Sequence, residues 1–136
     1  VYKRQAKQEY VIKNRQWLAD KSHEEGVMAV GAGVFAKVLK KGPAAGATPN
    51  RNSVVTVHYT GRTINGKTFD SSRGSTPPAM RLRDLISGWI VALTQMRPGD
   101  RWKIYIPAEQ GYGMRSIPGI PGGSTLVFDV ELLSFA

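Results

Sequence analysis

The chain of 136 residues predicts an α+β fold, an antiparallel β half-barrel wrapped around one short helix and preceded by a long N-terminal helix. Three observations predict it. Residues 2–25 contain neither proline nor glycine, four later stretches alternate apolar and polar side chains, and one segment around residue 90 repeats its apolar side chains at helical spacing.

The long helix comes first. Residues 2–25 are rich in Lys, Gln, Glu and Ala and stop at Gly26, a residue suited to a helix C-cap. Their apolar positions, Tyr2, Ala6, Tyr10, Val11, Trp17 and Leu18, follow a 3-4-7 spacing only loosely, which predicts a narrow apolar stripe and a largely wet surface. Such a helix extends roughly 36 Å at about 1.5 Å per residue, long enough for a spacer or a partner helix, while docking on its own domain is the competing reading. The expected division is residues 1–27 as helix and linker and residues 28–136 as the folded domain.

From Val27 the period changes to two. Val34, Ala36 and Val38 alternate with Phe35, Lys37 and Leu39 in a strand that ends at KKGPAAGATPN, a loop composition. Ser53 to Tyr59 places Val55, Val57 and Tyr59 on one face, and Asn65-Gly66 predicts a type I′ hairpin turn into Lys67 to Asp70. SSRGSTPPAM reads as a loop. Arg83 to Met96 carries Leu85, Ile86, Trp89, Leu93 and Met96 at helical spacing and stops at the turn Arg97-Pro98-Gly99-Asp100. Two strands follow, Arg101 to Pro107 with Trp102, Ile104 and Ile106 on one face, and Thr125 to Phe135 with Leu126, Phe128, Val130 and Leu132 on one face. GYGMRSIPGIPGG between them is loop. Antiparallel strands with one helix to cover their apolar face make the half-barrel.

Composition excludes several functions. With no cysteine there is no disulfide, thiolate metal site or cysteine nucleophile. The net charge of +9 is spread over the chain without a basic block, which predicts a solvated basic surface and no nucleic-acid role. No run of about 18 apolar residues predicts a membrane span, and no signal-peptide pattern opens the chain. Because the first residue is Val1 rather than Met, a processed or trimmed product is expected. His23 and His58 stand apart from any Ser-Gly elbow, metal-ligand spacing or paired carboxylate, so no hydrolase or metal site is expected. The GAG at 31–33 and PGGS at 121–124 lack the lysine and strand-loop-helix context of a phosphate cradle and read as turns. What remains is a concentration of aromatic and aliphatic residues on strand faces, which taken alone reads as a core.

Five short segments change that reading. VHYTG, TFDSSR, ISGW, GYG and TLVFDVELL occur in that order between Val57 and Leu133. Together they resemble the FKBP-type peptidyl-prolyl cis-trans isomerases over roughly residues 50–136. The resemblance implies a core open on one side, with Trp89 as the floor of a pocket for a prolyl ring and Tyr59, Phe69 and Phe128 as its walls. It implies that Leu85 and Ile86 complete the edge, the Ile86 N–H holding one substrate carbonyl and the Tyr112 hydroxyl another. Asp70 would stand beside the rotating amide, with Ile117 and Ile120 as a flexible lip. A second, overlapping role for Asp70 is to pin its own loop through Tyr59 or Arg73.

The activity implied is acceleration of X-Pro isomerisation in protein folding, non-covalent and without a cofactor. The alternative is a chaperone or peptide-binding module with little isomerase activity. Expected partners are unfolded or proline-containing polypeptides and macrolide inhibitors. The long helix resembles that of the bacterial macrophage infectivity potentiators. That subset implies a homodimer formed through an N-terminal region outside these residues, and a periplasmic or cell-envelope location ahead of a cytoplasmic one. The chain departs from the family pattern at Pro77-Pro78-Ala79-Met80, where many members carry a rim aromatic, and near Ile117, where it lacks a histidine found in some eukaryotic members.

Overall fold

Seven strands, all antiparallel, form a single sheet in the computed structural model, with one helix on each face. The structure describes residues 2–43 and 46–136, so Ala44 and Ala45 of the predicted loop lie outside the described residues, as does the side chain of Tyr2. In chain order the elements are α1 (Tyr2–Ser22), β1 (Val27–Gly31), β2 (Val34–Lys40), β3 (Val54–Arg62), β4 (Thr68–Ser71), β5 (Ala79–Arg81), α2 (Ser87–Leu93), β6 (Arg101–Ile106) and β7 (Leu126–Phe135). The spatial order is β1-β2-β6-β7-β3-β4, and β5 also pairs with β3.

Strand parity sorts the side chains as the sequence predicts. Val34 and Ala36 of β2, Val55 and Val57 of β3, Trp102, Ile104 and Ile106 of β6, and Leu126, Phe128, Val130 and Leu132 of β7 all face inward and are buried. Helix α2 closes this inner face with Trp89, Ala92 and Leu93. Each fully buried aliphatic side chain here stabilises the fold by about 1.5–3 kcal/mol. Arg97-Pro98-Gly99-Asp100 is a type II turn, with Gly99 at φ 93° and the Asp100 N–H bonded to the Arg97 carbonyl at 2.9 Å.

Several boundaries differ from the expectation, each for a local reason. Helix α1 ends at Ser22 rather than residue 25, because His23 and Glu24 bond back three residues to Asp20 and Lys21 and tighten the last turn. The period-two stretch from Val27 is a hairpin, with β1 added before the expected strand and paired to it as β2, reversed at Gly31-Ala32-Gly33, the GAG read as a turn, where all three residues have positive φ. The Asn65-Gly66 turn is not type I′, since Gly66 at φ 85° is its one residue in the left-handed region. The Gly66 N–H bonds the Thr63 carbonyl and the Thr63 N–H bonds the Lys67 carbonyl, a three-residue connection closed by a glycine bulge. Ala79 and Met80, expected in a loop, form edge strand β5 against Thr56 and Val55. The helix expected over 83–96 is regular only from Ser87 to Leu93. Leu82–Asp84 forms a single 3-10 turn, and Leu85 and Ile86 are extended.

Of the readings left open for α1, the structure takes docking on its own domain, on the outer face of the sheet. Trp17 and Leu18 pack with Phe35, Tyr105 and Val127, and Trp17 meets Tyr105 edge-on at 5.8 Å. This explains why Tyr105 and Val127 are buried although their parity points them away from the main core. No helix among the described residues is long and apolar enough to cross a membrane.

Candidate functional site

The site begins with the placement of Trp89 in the first turn of α2. Gly88 before it lets the helix approach β6, since a Cβ there would stand 2.5 Å from Ile106 Cγ2. Trp89 is thereby pressed toward the sheet, only 4% exposed, but with its ring reaching the open end of the inner layer. The extended backbone at Leu85 and Ile86 keeps both out of the helix and half-buried. Among the described residues no acceptor satisfies the Ile86 N–H.

Three strand aromatics stand around Trp89. Tyr59 and Phe128 meet it edge-on at 5.2 and 5.3 Å, and Phe69 meets Phe128 edge-on at 5.6 Å. Such pairs add about 0.5–1.5 kcal/mol each beyond area burial. Gly61 makes the cluster fit. A Cβ at that position would lie 2.6 Å from the Phe128 ring and 2.7 Å from Phe69, so a side chain there would drive the two rings apart.

The polar groups are few and held. The Tyr59 hydroxyl donates to Asp70 Oδ2 at 2.7 Å, while Arg73 pairs with Glu131 at 3.8 Å; of the two partners expected for Asp70, the structure supplies Tyr59. Burial first, then the bond to Asp70 and its negative charge, push the Tyr59 phenol up to about 12. Ser72 fixes the backbone behind this pair, its N–H donating to the Tyr59 carbonyl at 2.9 Å and its hydroxyl accepting the Tyr59 N–H at 2.8 Å. Tyr112 lies across the opening, its phenol also raised by burial and then by the Asp70 charge. Its hydroxyl has no partner among the described residues and so stays a free donor at neutral pH.

Tyr59, Phe69, Asp70, Leu85, Ile86, Trp89, Tyr112 and Phe128, dispersed over 70 positions, therefore line one pocket of about 270 Å³. Met80 and Asp84 line it too; Met80 belongs to the Pro77-Pro78-Ala79-Met80 stretch that stands where many family members carry a rim aromatic, whereas Asp84 was not singled out from the sequence. Met80 is legible once β5 is seen to pair with β3, because its register opposite Val55 turns it toward the inner face. Gly61, Gly88 and Ser72 were missed as supports because the sequence alone does not show what approaches them. Ile117 and Ile120 stand beside that lining rather than in it. They bond each other across a turn, Ile120 buried in the core and Ile117 half-buried against it, while Gly119 between them lies beside the Phe69 wall. His58 faces the other side of β3 and bonds Ser72, and His23 is exposed. No three His, Cys, Asp or Glu side chains gather into a metal site among the described residues.

Known proteins resemble this arrangement. The family model described as FKBP-type peptidyl-prolyl cis-trans isomerase matches residues 46–133. The chain is 41% identical over 124 residues to the peptidyl-prolyl cis-trans isomerase Mip of Coxiella burnetii, covering 90% of this chain and 53% of that protein. It is 41% identical over 133 residues to the FKBP-type 22 kDa peptidyl-prolyl cis-trans isomerase of Escherichia coli, covering 96% of this chain and 64% of that one. The chain thus spans about half to two-thirds of the length of these curated relatives. Its fold superposes on the crystal structure of a peptidyl-prolyl cis-trans isomerase from Pseudomonas syringae with a TM-score of 0.87, at 33% identity and 95% coverage of both chains.

Proposed function

The chain belongs to the FKBP-type peptidyl-prolyl cis-trans isomerase family, and from that premise we propose that its aromatic pocket accelerates rotation about X-Pro bonds in unfolded or flexible polypeptides. One observation carries the reading. Four aromatic rings surround a small, mainly apolar pocket whose polar points are the Asp70 carboxylate fixed by Tyr59, the free Tyr112 phenol and the Asp84 carboxylate. The isomerase unit is residues 28–136, and macrolide inhibitors would compete for the same pocket.

The reaction breaks no bond. The barrier to rotation is about 18–20 kcal/mol and comes from amide resonance, which places partial negative charge on the carbonyl oxygen of the planar form. Rotation removes that charge separation. Seating the prolyl ring on Trp89, between Tyr59, Phe69 and Phe128, strips water from the amide and so disfavours the planar form relative to the twisted one. The Asp70 carboxylate, held by Tyr59, acts in the same direction, since negative charge beside the amide opposes the partial negative oxygen of the ground state. The Ile86 N–H and the Tyr112 hydroxyl bind carbonyls of the flanking peptide and hold the chain while the bond turns. Lowering the barrier by about 5–7 kcal/mol corresponds to roughly four to five powers of ten in rate.

A proline-limited peptide assay tests this. Wild-type protein is expected to exceed both Asp70→Ala and Trp89→Ala by a wide margin; a wild-type rate no faster than theirs would overturn the proposal.

A further inference from the structure

Helix α1 reaches the site through the loop that follows Tyr112. Residues 113–123 form a loop whose ends meet where the Gly123 N–H donates to the Gly113 carbonyl at 2.8 Å. Tyr112 immediately precedes one end, and Ser124 and Thr125 immediately follow the other. Both of these latter residues rest on α1. The Thr125 N–H donates to Asn14 Oδ1 at 2.8 Å, and the Thr125 hydroxyl donates to the Asn14 carbonyl at 3.3 Å. The Ser124 hydroxyl donates to the Pro121 carbonyl at 2.6 Å, which leaves Tyr10 as the donor in its 2.7 Å bond to Ser124.

The packing follows the same line. Val11 fills the space over Gly123, where a Cβ would come within 2.5 Å of its Cγ2. On the other stem of the loop Arg15 pairs with Glu109 at 3.5 Å. Tyr10, Val11 and Asn14 lie at helical spacing, so one face of α1 grips the 123–125 stem, to which the exposed Arg15–Glu109 pair on the other stem adds little.

Asn14 is the informative residue. It is fully buried in mid-helix, where asparagine is a poor helix former and an amide is costly to desolvate. A leucine there would bury more apolar surface but leave the Thr125 N–H, at the start of β7, without its acceptor. The amide is satisfied at both ends, Nδ2 donating to the Tyr10 carbonyl at 2.8 Å and Oδ1 accepting from Thr125, so it fixes the position of Thr125 and with it the loop.

We infer that α1 is a positioning element of the site, Asn14 and Tyr10 holding the 113–125 segment so that Tyr112 stands at the mouth of the pocket. This rests on the isomerase reading for its kinetic consequence, and on geometry alone for the coupling of helix to loop.

The experiment measures kcat and KM on a proline-limited peptide for wild type, Asn14→Ala, Tyr112→Phe, their double variant, and Trp17→Ala, which removes the packing on Tyr105 but leaves the Tyr10 and Asn14 bonds to residues 124 and 125 in place. Amide exchange is followed at Arg115, Ile117 and Ile120, whose N–H groups bond within the loop and not to α1. Asn14→Ala is expected to raise KM about fivefold or more, to add nothing in the Tyr112→Phe background, and to speed exchange at the three amides. Trp17→Ala is expected to lower Tm while leaving KM and the three amides unchanged. Where Asn14→Ala fails to fold, Tyr10→Phe removes one hydroxyl and is expected to shift KM and exchange in the same direction by less. Wild-type KM and wild-type exchange in the Asn14 variant would overturn the inference, as would independent, multiplicative effects of Asn14→Ala and Tyr112→Phe. An inactive wild type would sink the isomerase reading instead, and exchange at the three amides would then decide the coupling: faster in Asn14→Ala sustains it, unchanged overturns it.

Discussion

The inner face of the sheet is apolar along its length, with Val57, Ile104, Phe128 and Val130 set against α2, whereas the outer face is apolar only beneath α1. Away from α1 the outer face carries Lys103, Asp129, Arg101 and Glu131 in cross-strand register. The difference teaches where a pocket can arise. With seven residues α2 spans about 10 Å, against about 33 Å for the ten residues of β7, so it cannot cover the whole inner face. The uncovered apolar end must be lined by side chains that tolerate partial exposure while packing rigidly, and aromatics meeting edge to face do both. On the outer face the uncovered end is simply charged.

The sharpest way to break this comparison is to remove one tryptophan from each side. Trp89→Ala is expected to cost about 3–5 kcal/mol in urea unfolding and to abolish isomerase activity, because it empties both a core position and the pocket floor. Trp17→Ala, half-buried on the outer face, should cost about 1–2 kcal/mol and leave the peptide assay unchanged. Equal losses of activity in the two variants would mean that the outer helix contributes to the pocket as directly as the inner one.

Adjacent positions on β3 offer a finer test. Gly61→Ala pushes a methyl into Phe69 and Phe128 and is expected to destabilise by about 1–3 kcal/mol, with a fall in activity as the walls separate. Thr60→Ala, one residue away on the outer face, loses a bond to Ser71 and should stay within about 0.5 kcal/mol with full activity.

Titration sharpens the contrast further. Because the folded Tyr59 phenol is raised to about 12 from 10, its contribution to stability is fully present below pH 10 and is lost as pH rises toward 12. Absorbance titration should show a phenol still protonated above pH 11 that disappears in Tyr59→Phe, while activity holds from neutral pH to about 10. Loss of activity well below that, with the Tyr59 phenol still protonated, would separate the Tyr59–Asp70 bond from function.

The smallest effect is expected on the outer face. Arg101 makes two bonds to Asp129, at 2.9 and 2.8 Å, and the carboxylate raises the Arg101 guanidinium further above its usual range. Both groups remain partly exposed to water. Asp129→Asn should therefore cost only about 0.2–1 kcal/mol, less in high salt, with no change in the peptide assay.

Legibility in the sequence followed the range of the interaction. Alternation placed Val55, Val57, Ile104, Phe128 and Val130 inward without reference to any partner, because strand parity is a property of the local backbone. Helical spacing overshot at Leu85 and Ile86, since extended residues next to a short helix satisfy the same spacing; nor does it show how closely α2 sits on β6, which depends on Gly88 meeting Ile106 eighteen positions along the chain. The loose apolar pattern of α1 predicted a largely wet helix, and most of its described side chains are exposed; hydropathy does not show that Asn14 and Tyr10 also dock, because they do so through hydrogen bonds. Met80 was placed at the rim only by resemblance, in a stretch read as loop, because its edge pairing is invisible until β3 is in place.

By itself the sequence determined the alternation of the strands, the glycine turns, the lack of any cysteine and the segments that carry the family resemblance, all of which depend on residue type and near neighbours. Only the tertiary structure decided the distances at which Tyr59, Asp70, Trp89, Tyr112 and Phe128 meet in one pocket, the position of the 117–120 turn beside the Phe69 wall, and the reach of α1 to the loop beyond Tyr112 through Asn14. These depend on distance between remote parts of the chain, and a distance exists only once sheet register and helix docking have brought those parts together.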